Sequence, residues 1–103
     1  MMKYQFVIQT PEELWGDIYE IANLEDILEE YLFNAQVDGH DIGCGEVNIF
    51  IDTNDPHCTF IEVKHLLVME AMDLADIKIA YREFGTEKYI PLWPEGLEEF
   101  KVT

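Results

Sequence analysis

Four side chains with soft or borderline donor atoms, His40, Cys44, His57 and Cys58, are the residues of this chain best suited to hold zinc. No Cys-x-x-Cys or His-x-x-x-His spacing gathers them onto one turn. Asp38, Asp41, Glu46, Asp52 and Asp55 supply oxygens for a hard cation, but their spacing is not that of a calcium-binding helix-loop-helix. His40, beside Asp38 and Asp41, could act as an oriented general base, and Cys44, between Gly43 and Gly45, as a nucleophile. The plainer assignments are a hydrogen-bonding surface histidine and a small turn cysteine. Gly43-Cys44-Gly45 joins strand to strand with no helix N-terminus behind it, so it does not cradle phosphate. No metal, cofactor or catalytic residue is therefore expected, and recognition is the chemistry left.

The elements that must position these residues are legible from periodicity. Glu46–Asp52 alternates Val47, Ile49 and Ile51 with Asn48, Phe50 and Asp52, the pattern of a strand with one buried face. With a loop over Gly43 to Gly45, the segment Gln36–Ile42 folds back as its antiparallel partner. Upstream, Lys3–Gln9 alternates as a further strand. Thr10-Pro11-Glu12-Glu13 then reads as a capping box with proline in the first helical position. Gly16 interrupts that start, so a short turn at 11–16 precedes a main helix from Ile18 or Asn23 to Phe33, with Ile21, Leu24, Leu28, Tyr31 and Leu32 as its buried stripe. Its outer face carries Glu25, Asp26, Glu29 and Glu30, two like-charged i,i+4 pairs with no base to offset them.

A second capped helix starts at Thr53-Asn54-Asp55-Pro56 and runs to about Met72, its apolar face drawn from Phe60, Val63, Leu67, Ala71 and Leu74, broadened by Leu66 and Met69. Ile77–Arg82 alternates as the last strand and Gly85 breaks it. The remainder, with Tyr89, Ile90, Leu92, Trp93, Leu97 and Phe100, is too apolar for a free tail, and Pro91 and Pro94 exclude it from an inner strand. It should pack at the sheet edge of its own chain or onto a second copy, which leaves a homodimer open. Strand, helix, strand, strand, helix, strand is the order of a ferredoxin-like α+β sandwich, one domain with a four-stranded antiparallel sheet, two helices on one face and a C-terminal extension.

The three-residue loop sets Ile42 opposite Glu46, His40 opposite Asn48 and Asp38 opposite Phe50. Asp38, His40, Asn48, Phe50, Asp52 and Arg82 then share the sheet face away from the helices, and this is the candidate binding face. A two-residue loop would break that set. The whole-chain pattern, with the hairpin Asp38-Gly39-His40-Asp41-Ile42-Gly43-Cys44-Gly45-Glu46-Val47-Asn48-Ile49-Phe50-Ile51, then Asp55-Pro56, Tyr81-Arg82 and Leu92-Trp93-Pro94, resembles a group of short bacterial proteins with no assigned activity. The resemblance implies a bacterial cytoplasmic origin and transfers no functional residue.

Charge bounds the function. The 103 residues hold six Lys and Arg against 22 Asp and Glu, a formal charge of −16. From Tyr4 to Val63 there are 14 acids and no Lys or Arg, whereas the rest of the chain has six bases and eight acids. Such a field repels nucleic acid and anionic membranes and attracts basic proteins or cations. Apolar runs fall far short of the ~20 residues of a membrane span, and Met1–Phe6 lacks a signal-peptide core. A cytoplasmic protein with reduced Cys44 and Cys58 is expected. Two function classes remain. One is an acidic interaction or immunity-type inhibitor protein steered onto a basic partner. The other is a small-molecule or metal-binding domain, with enzymatic activity open, using the sheet face around His40, Asn48 and Arg82.

Overall fold

The computed structural model, which describes residues 2–102, has five strands, two α-helices and two short 3-10 turns. In chain order the strands and α-helices are β1 (Tyr4–Pro11), α1 (Ile18–Tyr31), β2 (Ala35–Gly43), β3 (Glu46–Thr53), α2 (Pro56–Met69), β4 (Lys78–Glu83) and β5 (Ile90–Trp93). The sheet is antiparallel throughout, in the order β2-β3-β1-β4-β5. The expected four strands are thus corrected to five. Part of the tail, β5, joins the outer edge of β4, where Pro91 removes no inner ladder bond.

Both helices bury their apolar stripes on one sheet face. Ile21, Leu24, Leu28 and Leu32 of the α1 segment and Val63, Leu66 and Leu67 of α2 cover Phe6, Ile8, Val47, Ile49, Ile51 and Ile79. Tyr31 departs from the expected stripe: it is exposed and stacks its ring on His65 of α2 at 6.4 Å between centroids. The caps differ in part from the expected ones. The short turn expected at 11–16 forms as a 3-10 turn over Glu12–Leu14, but without its expected cap: Thr10 stays in β1, where its hydroxyl accepts a hydrogen bond from the Trp15 indole at 2.8 Å, and Pro11 precedes the turn with no side-chain bond. Helix α1 is capped by Asp17, which accepts from the amide of Glu20. Asp55 caps α2 through the amide of Cys58, with Pro56 in the first turn as expected. Helix α2 stops at Met69 rather than Met72, because Ala71 takes a left-handed φ of 60° that closes the helix end.

Trp93 docks within its own chain. Its indole nitrogen donates to the Leu74 carbonyl at 2.9 Å, and the Lys64 ammonium sits over the ring at 4.6 Å. On α1, Glu25 and Glu29 turn toward β2, Glu29 accepting from the Val37 amide at 2.7 Å, while Asp26 and Glu30 remain exposed. Among the described residues the only ion pair made by a Lys or Arg is that of Lys3 with Glu83. Raising sodium chloride from low concentration to ~0.5 M should therefore raise the melting temperature by screening self-repulsion. A flat or falling profile in a thermal scan would show that the acids do not strain the fold.

Candidate functional site

The hairpin turn decides which side chains meet. Cys44 and Gly45 both adopt positive φ, 52° and 77°, which is the two-residue type I′ turn, so Gly43 rather than Ile42 lies opposite Glu46. The shift by one residue sets His40 opposite Ile49 and Asp41 opposite Asn48. Further along β2 a bulge at Asp38 inserts one extra residue between Val37–Ile51 and Gly39–Phe50, restoring the phase so that Gln36 faces Asp52.

His40 is consequently removed from the candidate face. It lies half-buried on the helix side, with its Nδ1 2.8 Å from Oε1 of Glu25 on α1, and clamps the edge strand to the helix. Asp38, Asn48, Phe50, Asp52 and Arg82 remain together on the opposite face, joined by Gln5, Val7 and Gln9 of β1. Part of that face is covered by the tail, while Asp38 stays exposed and Phe50, Asp52 and Arg82 are half-buried. Phe100 clusters with Val7 and Ala80, and Phe50, Tyr89, Leu97 and Val102 pack around that cluster. Asn48, expected to be accessible, has no exposed surface: the Gln9 amide donates to its Oδ1 at 2.9 Å and to the Lys101 carbonyl at 2.8 Å, tying the tail down over it.

The other end of the face is a small polar cluster. Gln5 Oε1 accepts from Arg82 Nε and from the Tyr89 hydroxyl, both at 2.8 Å, and Arg82 also reaches the Thr86 carbonyl. Asp52 is left without this arginine: one of its oxygens is buried with no partner, and burial, aided by the charge of Asp38, pushes its carboxyl above the usual carboxylate range. A raised folded-state pKa means the ionised group opposes folding once the pH exceeds that value, and the penalty fades as the pH falls through it. Asp52→Asn should thus stabilise the protein at pH 7 by a few tenths to about 1 kcal/mol. Urea denaturation should show that gain shrinking toward acid pH; a variant less stable at pH 7 would mean that the carboxylate is needed ionised.

The soft ligands do not converge. His57 packs edge-on to Tyr81, His65 stacks on Tyr31, and both cysteines are exposed free thiols. Asp55 and Glu62 hold the Cys58 thiol above its ordinary range, which argues against a reactive thiolate there. Among the described residues no group of three or more His, Cys, Asp or Glu is placed to hold a metal ion, and no helix is long and apolar enough to cross a membrane.

Met69, expected on the buried face of α2, is instead 55% exposed, and Phe33, Ile61 and Val68, which the periodicity analysis passed over, are 76%, 69% and 59% exposed, far more than the stripe beneath them. A signal was available: Ile61, His65, Val68 and Met69 repeat at i, i+4, i+7 and i+8, a second apolar line on a helix already committed to the core by Val63, Leu66 and Leu67. A helix apolar on two sides has a face left to cover. Comparison with known proteins assigns no family: no family model matches the chain, and no curated protein or solved structure matches it.

Proposed function

We propose that this chain is a small acidic interaction protein, of the inhibitor or immunity type, that binds a basic protein partner. The observation carrying this reading is the uncompensated charge: 14 acids and no Lys or Arg between Tyr4 and Val63, with Asp26 and Glu30 exposed on α1 and an apolar line left uncovered on α2. In this reading the first four strands and two α-helices are a ferredoxin-like unit whose sheet face is partly covered by its own tail, and the helix layer is the surface offered to the partner. The tail over Val7, Ala80 and Asn48 and the withdrawal of His40 toward Glu25 weigh against a small-molecule site there. A reducing cytoplasm, in which Cys44 and Cys58 remain thiols, suits this role.

The test is capture from a bacterial extract on the immobilised protein at ~0.05 M and ~0.5 M salt, followed by association kinetics with the purified captured protein. The expected outcome is a basic protein whose association rate falls at least about tenfold across that range. Retention of only acidic or neutral proteins, or an association rate indifferent to salt, would remove the electrostatic basis of the proposal.

A further inference from the structure

Where α1 hands over to β2 and α2 begins, an open depression of about 280 Å³ lies between Phe33 and Ile61, with Asp55, Cys58 and Glu62 along it. We propose that this depression receives an arginine side chain of the basic partner, an inference that rests on the reading just given. The volume lies below the ~300–1,000 Å³ of small-molecule sites and suits one long side chain. Its walls are chemically mixed in the way an arginine is: Phe33 and Ile61 offer apolar surface to the methylene stem and an aromatic face to the guanidinium, and Asp55 and Glu62 offer carboxylate acceptors.

The charge balance favours a cation despite the nearby helix N-terminus. That terminus contributes roughly half a positive charge, against two carboxylates. Asp55 is held ionised, since the Cys58 amide it caps pulls its carboxyl below the ordinary range. Lys64, the first base after this stretch, does not fill the role, because its ammonium lies over Trp93 and Phe60. From this depression the apolar line continues along α2 through His65, stacked by Tyr31, to Val68 and Met69, giving a partner contact on either side of the anchored arginine. A second copy of the chain fits poorly as the occupant. It carries the same charge of −16, and its single arginine, Arg82, is engaged by Gln5 and Thr86.

The test uses the full chain and the capped peptide Gly-Leu-Arg-Leu-Gly, with lysine and citrulline versions, followed through backbone amide chemical shifts at moderate salt. The expected result is saturable shifts at Phe33, Asn34, Cys58, Ile61 and Glu62, with arginine bound more tightly than lysine and citrulline weakest. Phe33→Ser and Glu62→Gln should each weaken the arginine peptide about threefold, whereas Glu98→Gln with Glu99→Gln should not. Shifts spread over the whole acidic surface and unchanged by Phe33→Ser, equal binding of citrulline, or the same shifts produced by raising protein concentration alone would each overturn the proposal. If a basic protein is captured but binds Phe33→Ser as tightly as wild type, this anchor fails while the broader reading stands. Arginine peptide bound in the depression with no basic protein captured would have the opposite meaning.

Discussion

Ile49→Ala should lower the free energy of unfolding by about 2–5 kcal/mol, measured as a lower urea midpoint with an unchanged slope. Ile49 has no exposed surface and pairs with Ile8 of β1, which in turn pairs with Ile79 of β4, so three fully buried isoleucines form one row across the sheet beneath the helices. Truncating the first member of that row opens a void between strands that are fixed by their ladders and cannot close around it. For a domain with ordinary stability of about 5–15 kcal/mol this is a large fraction of the whole. The neighbouring Asn48→Ala makes the comparison informative. A polar residue on the sheet face away from the helices would ordinarily tolerate that change at below about 1 kcal/mol. With Asn48 fully buried and accepting from Gln9, the expected cost rises to about 1 kcal/mol or slightly more, offset in part because its unpaired Nδ2 is also removed. Asn48→Ala costing more than Ile49→Ala would show that the two faces of β3 are assigned the wrong way round.

The second large effect is at the tail. Phe100→Ala should cost about 2–4 kcal/mol, somewhat under the usual figure for a core phenylalanine because a terminal segment can detach without unfolding the sheet. Phe100 is 8% exposed, packs on Val7 and Ala80, and meets the Tyr89 ring edge-on at 5.2 Å between centroids. Losing it should loosen the bond from the Gln9 side chain to the Lys101 carbonyl and uncover Phe50 and Val7. Hydrogen exchange should then speed up over residues 97–102, with dye binding to the newly exposed apolar face. Unchanged exchange in the tail would mean that Phe100 is not what holds it.

Much of this architecture could be read from single residues. Val47, Ile49 and Ile51 alternate with polar neighbours, and all three are fully buried under the helices. Pro91 barred its segment from the sheet interior, and β5 is an edge strand. The Asp55-Pro56 pair marked the start of α2. Each of these is a local property, set by the period of the backbone or by the φ and missing donor of proline, and so it is written in a few consecutive residues.

The candidate site was less legible because it depends on relations between segments. Period 2 states which residues of a strand share a face but is silent on the partner they oppose. That was decided by Cys44 accepting a left-handed φ beside Gly45, which shortened the loop by one residue and turned His40 from the tail side to Glu25. The bulge at Asp38 then returned the rest of β2 to phase, so Gln36 lies opposite Asp52 and the Asp38 charge still acts on Asp52, although His40 and Asn48 no longer share a face. The partial covering of the sheet face depends on Gln9 and Lys101, 92 positions apart, and the uncovered line on α2 becomes visible only once the core has chosen the other side of that helix. The chain by itself determined which residues alternate, where helices begin and which segment must stay at an edge. Register, the covering of one face and the exposure of another were left to tertiary structure, because hydrogen-bond ladders and apolar burial between distant segments are shared properties of two stretches and belong to neither alone.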